Sequence, residues 1–311
     1  MLLETLINPK PKTIVYFAVL SILFMSLPLL INRDVSVYNL PQYSPWLFFA
    51  FSIIMIPLHA FGLNNLIYKN NIIKKENLII ATVFVLLNTF NIAVFHNLIS
   101  SFLMLFVINH LFESYKKDHP FNEIFSASLI LAIIIYLNPI MLLMYVLILF
   151  SGLAFNYANW RSLVVSVIGF IIPYILYFIY LNLANKNINL SSIISLPQLS
   201  LNKEIYGFFN EEKTILLILL FIIFISFFEF FNWLYKKSIR SRKSFFIILL
   251  YFLLSLLVGL FGSTDNWYII LSPLSVFIAN YFTYTKKRNL ANILFYIFII
   301  SSCYYRCMII I

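Results

Sequence analysis

Long apolar runs separated by short polar interruptions set the pattern of this chain. The runs lie at 13–32, 45–68, 78–95, 97–114, 122–137, 139–156, 162–184, 213–235, 244–262, 267–285 and 290–309. A helix needs about 20 apolar residues to cross the hydrocarbon of a bilayer, with a range of roughly 17 to 25. The pattern therefore predicts an all-α fold, a polytopic transmembrane helical bundle of about eleven spans. The pairs 78–114 and 122–156 are tight, and each reads as two short spans or as a span with a re-entrant segment. Pro28, Pro57, Pro173 and Pro273 fall inside runs, where a missing N–H predicts kinks. No internal repeat is visible, which weighs against inverted-repeat transporter folds.

The polar interruptions carry the topology. With the N-terminus placed in the cytoplasm and the loops alternating, 16 of the 21 Lys and Arg residues fall inside, in clusters such as "KKSIRSRK". Arg33, Lys186, Lys203, Lys213 and Arg306 are left outside. This asymmetry is what the positive-inside rule expects. Trp46, Trp267 and Tyr268 then begin spans at the outer interface, and Trp160, Trp233 and Tyr235 lie near the inner one, as amphipathic rings prefer. "MLLETLINPKPK" ahead of the first run reads as the flank of a retained signal anchor, because the run is long and lacks an A-x-A-like cleavage site. One outer connection is long: segment 185–212, "NKNINLSSIISLPQLSLNKEIYGFFNEE". It reads as an interfacial connector or as a lid over a site.

Composition agrees with a chain whose solvent is lipid. Of 311 residues, 62% are hydrophobic and 10% charged, against about 25% charged in soluble domains. No polar linker divides the chain, so it reads as a single integral membrane domain over 1–311. The net charge of +10 sits in loop clusters rather than on one continuous face, which argues against nucleic acid as a partner. Cys303 and Cys307, four apart, share a helix face in a poor geometry for a disulfide. No His or Cys spacing suggests a metal, and no motif suggests a cofactor.

Chemistry must then come from polar groups at membrane depth or at the outer face. There is no G-x-G-x-x-G, Walker A, H-E-x-x-H or G-x-S-x-G motif. An ionisable group inside a span is costly unless paired, so Glu229 and His59 are candidates for substrate or proton handling. His96, at an outer turn, is another. Asn88 and Asn91 are placed to face one cavity, and Asn109, His110 and Glu113 cluster at the end of the fourth run. Tyr174, Tyr177 and Tyr180 form a stripe after Pro173, read as packing or as a sugar-stacking track. At the outer face, Arg33, Asp34, Glu204, Glu211, Glu212 and Asp265 include carboxylates that would serve as a base if they converged.

From His96, "FHNLISSFLMLFVINHLFESYKKDHPFNEIFSASLILAIIIYLNPIMLLMYVLILFSGLAFNYANWRSLVVSVIGFIIPYILYFIY" resembles an uncharacterised family of bacterial polytopic inner-membrane proteins. The likeness extends upstream to about Ala60 and implies the bacterial inner membrane. More distantly, the succession of hairpins is similar to GT-C type glycosyltransferases that use polyprenyl-phosphate sugars. That resemblance implies a carboxylate in the first external loop as base or metal ligand, and Asp34 is the only residue placed to match; Asp265 is a candidate catalytic acid from its outer-face position alone. The loop here is short, the usual pair of acids there is reduced to one, and the large external C-terminal domain of that family is absent. The leading expectation is handling of an envelope glycan or lipid-linked sugar. The alternatives are a transporter or flippase that uses Glu229 and His59, and a non-catalytic scaffold for a membrane complex.

Overall fold

The computed structural model describes residues 2–31, 45–89, 95–184, 213–234 and 237–308. Their regular structure is entirely helical, with no strand among the described residues. In chain order the helices are α1 (Leu2–Ile7), α2 (Pro11–Ile31), α3 (Pro45–Lys69), α4 (Ile79–Leu87), α5 (Phe95–Glu113), α6 (Phe121–Leu137), α7 (Tyr145–Phe155), α8 (Trp160–Leu183), α9 (Lys213–Leu234), α10 (Ile239–Phe261), α11 (Leu271–Tyr284) and α12 (Arg288–Met308). Short 3-10 segments, Pro139–Met144 and Thr264–Ile270, lead into α7 and α11. The described residues gather into two compact units, one from 1–98, 203–238 and 271–311, the other from 99–202 and 239–270.

In the first unit, α4 and α11 are the buried centre. Every residue of α4 except Thr82 is buried, as is every residue of α11 from Leu271 to Thr283. α4 is apolar almost throughout, as a helix enclosed by other helices tends to be, whereas α11 also buries Ser272, Ser275, Asn280 and Thr283. α3 and α11 pack on α4, and α9 packs on α11. Aromatic rings make the α9 contact: Phe277 lies between Phe227, stacked at 4.8 Å, and Phe230, edge-on at 5.1 Å. The helix α1, which hydropathy did not announce, buries Leu3, Leu6 and Ile7. Its Leu6 carbonyl accepts the Leu78 N–H at 2.8 Å, which ties it to the start of α4.

In the second unit, α6 and α8 make the closest helix pair. Ser162, Ser166 and Gly169 fall at i, i+4 and i+7 and are the buried residues of α8 together with Leu181. Small residues at this spacing let two backbones approach in lipid. A Cβ on Gly169 would lie 2.7 Å from the Phe125 carbonyl and would overlap Ser128 Oγ. α7 ends at Asn156, whose left-handed φ of 64° stops the helix. α8 begins where Ser162 Oγ accepts the Asn159 N–H at 3.1 Å. α10 packs on α7 and on both 3-10 segments.

Helical structure occurs in each of the eleven apolar runs, but the runs are not equivalent. Four helices among the described residues are long and apolar enough to cross a membrane by themselves: Ala50–Lys69, Phe95–Glu113, Trp160–Leu183 and Ile239–Phe261. The 78–95 run does not form one continuous helix. α4 has nine residues, about 14 Å at 1.5 Å per residue, and ends where the Asn88 amide donates to the Phe84 carbonyl at 2.6 Å. Asparagine competes in this way for backbone groups and favours helix ends. The 139–156 and 267–285 runs are each divided between a 3-10 segment and an α-helix. Pro273 falls in the first turn of α11, where its missing N–H has no intrahelical partner to lose, so it starts the helix rather than kinking it.

One aromatic expectation is corrected as well. Tyr268 is fully enclosed within the second unit rather than set at an interface. Trp267 lies over the bare backbone of Gly259, with ring atoms 3.0 Å from where a Cβ would stand. Trp160 is 71% exposed. Arg306, counted from the sequence among loop basics, is buried at the end of α12, and its Nη2 reaches the Met25 carbonyl at 3.5 Å.

Candidate functional site: an apolar groove and two polar clusters

The first unit carries a groove of about 510 Å³. One wall is α2, through Thr13, Phe17, Leu20, Phe24 and Leu27. The others are α1, the Thr82–Leu86 face of α4, and Phe295, Ile299 and Cys303 of α12, which fall at i, i+4 and i+8. From Thr13 to Leu27 the groove follows α2 for about 21 Å at 1.5 Å per residue. That is more than half of the roughly 30 Å hydrocarbon thickness.

The serine and threonine hydroxyls of this wall are turned away from the groove's chemistry. Thr5 donates to Leu2 O (2.8 Å), Thr13 to Lys10 O (2.6 Å), Ser21 to Ala18 O (2.8 Å) and Thr82 to Leu78 O (2.6 Å). With those donors satisfied on their own helices, the surface offered is hydrocarbon. It suits an alkyl or prenyl chain and not a hydrated solute. Lys10 and Lys12 are exposed beside Thr13, and Glu4 is exposed beside Thr5, so the charged residues bordering these lining positions have a basic excess of one.

His59, expected as an intramembrane candidate, lies on α3 and is sealed from solvent. Its Nε2 shares a hydrogen bond of 3.0 Å with the Ser272 hydroxyl of α11, and its ring lies on Phe84 of α4, with centroids 4.4 Å apart. The histidine thus joins the three helices of the buried centre. Farther along α11, Asn280 is fully buried, and neither its amide nitrogen nor its oxygen has a hydrogen-bond partner among the described residues. Asn88 binds its own helix, and Asn91 lies outside the described residues.

In the second unit, Asp265 stands half-buried beside a small polar cluster. The Asn138 amide donates to Asn266 Oδ1 at 2.7 Å, and Asn266 Nδ2 donates to Ser263 Oγ at 3.2 Å. The turns "YLNPIM" and "GSTDNW", 128 residues apart, meet here. Glu229 is half-buried on α9 and close enough to act electrostatically on the Tyr281 hydroxyl of α11. His96 is exposed near the start of α5. Asn109, His110 and Glu113 do form one cluster: Asn109 donates to Glu113 Oε1 at 3.0 Å, and His110 Nδ1 lies 3.8 Å from Oε2. Tyr174 and Tyr177 of the stripe border a small cavity of about 180 Å³ with Tyr136, whose ring centroid is 5.1 Å from that of Tyr177. Arg33, Asp34 and Glu204 lie outside the described residues, as does segment 185–212. Among the described residues, no group of three His, Cys, Asp or Glu side chains is arranged to hold a metal ion.

A family model matches residues 10–311, nearly the whole chain. The chain belongs to DUF6427, a family of unknown function. No curated protein and no solved structure matches it. Membership agrees with the expected uncharacterised family and assigns the DUF6427 chain no activity.

The groove escaped sequence reading for a physical reason. α2 is apolar around its whole circumference, so no periodic stripe distinguishes its groove face from its lipid face. The nearest signal was the polar pair at i, i+8, Thr13 and Ser21, on the same side as Phe17 and Phe24.

Proposed function

We propose that this DUF6427 protein is a bacterial inner-membrane protein of about eleven crossings, N-terminus inside, that handles a lipid-linked substrate of the cell envelope. The observation carrying this reading is the groove along α2: about 510 Å³, hydrocarbon-lined, and with a basic excess of one among the charged residues beside its lining positions. A polyprenyl or acyl chain with a phosphate head matches those properties together. Inside a bilayer the tail gains little merely by leaving other tails, since lipid is as apolar as the wall. Selectivity must come from shape and from the head group. The basic loop clusters support the orientation through the positive-inside rule. Sugar transfer would use Asp34 as base, so Asp34→Asn should abolish transfer while the protein remains in the membrane.

The test is native mass spectrometry of the full chain, extracted in mild detergent from its host, with and without Leu20→Trp. Leu20 lines the groove and is 62% exposed, so a larger ring fills space without disturbing the core. A retained phosphate-bearing lipid in the native chain, lost in the variant, is the expected result. Retention of no lipid, together with unchanged envelope glycans and lipid-linked sugars in a deletion strain, would overturn the reading.

A further inference from the structure

A second place in the first unit gathers chemistry that the groove does not use. Tyr284, the last residue of α11, stands between two loops. Its hydroxyl accepts the backbone N–H of Lys74 at 3.1 Å, from the loop before α4. Its ring carries the ammonium of Lys237 at 3.9 Å, from the loop after α9. One tyrosine thereby fixes two basic segments that are 163 residues apart in sequence.

This arrangement costs energy as it stands. Lys237 is partly buried, and Lys74 and Lys75 both repel its ammonium; together these effects push it down to about 8. Neither Lys74 nor Lys75 has an ion pair among the described residues, where His110 with Glu113 and Lys117 with Glu123 are paired in the other unit. Arg288, the basic residue next along the chain after Lys286 and Lys287, is already used: its guanidinium donates to the Phe282 and Thr283 carbonyls, both at 3.2 Å. Orientation alone asks only that basic residues lie on one side of the membrane. It does not ask that the Lys237 ammonium be held on a ring whose hydroxyl also fixes the backbone of the segment carrying Lys74 and Lys75, where like charges oppose one another.

We propose that Lys74, Lys75 and Lys237, assembled on Tyr284, form a binding site for a phosphate group. A phosphate converts mutual repulsion into shared charge-assisted hydrogen bonds, and the ring holds Lys237 in place for it. The site uses none of the groove's residues and stands whether or not the groove is filled. The same chemistry is available from an anionic phospholipid head group or from a soluble phosphate.

The experiment places the full chain in nanodiscs of phosphatidylcholine alone or of phosphatidylcholine with phosphatidylglycerol. Bound phosphatidylglycerol is read by native mass spectrometry. Inorganic phosphate is titrated in the phosphatidylcholine discs and read by protection of lysines from acylation. The test variant is Lys74→Gln/Lys75→Gln/Lys237→Gln. Lys116→Gln/Lys117→Gln/Lys243→Gln removes the same charge elsewhere, and Tyr284→Phe keeps the ring while removing the hydroxyl. At about 1 kcal/mol per basic residue near an anionic surface, the test variant should lose binding on the order of a hundredfold. A site built by these three lysines requires the charge-matched control to lose markedly less binding than the test variant, whereas a general surface attraction would weaken both alike. Loss of phosphatidylglycerol identifies a lipid head group. Loss of phosphate protection without any lipid effect identifies a soluble phosphate. Equal loss in test variant and control, or no binding of either probe by the native chain, overturns the proposal. Lys→Arg replacements at the three positions should restore binding, and failure of that rescue with the thermal transition unchanged would also count against it.

Discussion

Both α11 in the first unit and α8 in the second arise from apolar runs of the same kind, and the fold uses them in opposite ways. α11 is buried from Leu271 to Thr283 and holds polar groups inside: Ser272 bonded to His59, and Asn280, whose amide has no hydrogen-bond partner among the described residues. α8 is the helix of which only 17% of the apolar window is buried. Leu163, Val167, Ile171, Leu176 and Leu183 face outward, which in a membrane means toward lipid, and only the Ser162–Ser166–Gly169 stripe and Leu181 are buried. In water an apolar residue marks the interior. In lipid it marks nothing, because chain and solvent are equally apolar, and the interior is marked instead by small and polar residues. The same comparison separates two modes of cohesion: enclosure around α4 and α11, and close backbone approach between α6 and α8.

The sharpest way to break the second mode is Gly169→Leu. The new side chain would begin 2.7 Å from the Phe125 carbonyl, a backbone atom that cannot rotate aside. Overpacking of this kind costs about 1–3 kcal/mol, occasionally more, and here the upper end is expected because the whole α6–α8 contact must open. Thermal unfolding in detergent should show a fall of several degrees. Leu176→Ala, on the outward face of the same helix, should leave the transition nearly unchanged. Equal effects at the two positions would remove the distinction between the faces.

This contrast also explains what the sequence makes legible. Helix class and approximate positions were legible because the run lengths and the interrupting charges record them directly. The breaks were only partly legible. Asn88 and Pro139 are helix-ending residues in plain view, yet α4 stops at Leu87 because the Asn88 side chain turns back onto Phe84, a choice an asparagine within an apolar run does not announce. The partnership of His59 with Ser272 spans 213 residues, and that of Asn138 with Asn266 spans 128. A single sequence places each of these residues on a helix or turn but not opposite its partner. The Asn109–His110–Glu113 cluster was legible because i, i+3 and i+4 neighbours need no tertiary information. Asp34, the acid favoured by resemblance to GT-C enzymes, lies outside the described residues, so its candidacy rests on sequence.

The enclosed centre of the first unit is sharpened by two substitutions of opposite sign. Ser272→Ala removes the hydroxyl that His59 Nε2 meets at 3.0 Å and leaves a buried ring nitrogen without it, at a cost of about 1–2 kcal/mol. Asn280→Leu replaces an amide that has no hydrogen-bond partner among the described residues with a hydrocarbon of similar size. It should be neutral or stabilise by about 1 kcal/mol, since the desolvation of an unsatisfied amide is no longer imposed. Chemical or thermal unfolding of both variants in the same detergent decides the matter. Destabilisation by Asn280→Leu would mean that the amide has a partner in the membrane, a water or a bound polar group, and that the centre is not dry.

The smallest expected effect contrasts the loop ends of the two units. In the second unit, Lys116 and Arg240 lie over Tyr115 at 5.9 and 5.5 Å. In the first, Lys237 is held closer to its ring, at 3.9 Å, and burial, with Lys74 and Lys75 nearby, pushes it down to about 8 from an ordinary 10.5. The folded state therefore disfavours the charged form. The penalty is complete below about pH 8, where folded and unfolded chains both carry the proton. It disappears as the pH rises from about 8 to about 10.5, because the unfolded chain still binds a proton that the folded chain has released. Stability should rise through that window, and Lys237→Gln should flatten the rise while slightly stabilising the protein below pH 8. Lys237 keeps substantial exposure, so solvent screening holds the effect below about 1 kcal/mol. Melting temperatures of the native chain, Lys237→Gln and Lys116→Gln, compared at about pH 7 and about pH 10, check both the sign and the site. A pH-dependent difference that appears in Lys116→Gln and not in Lys237→Gln would place the strained cation in the wrong unit.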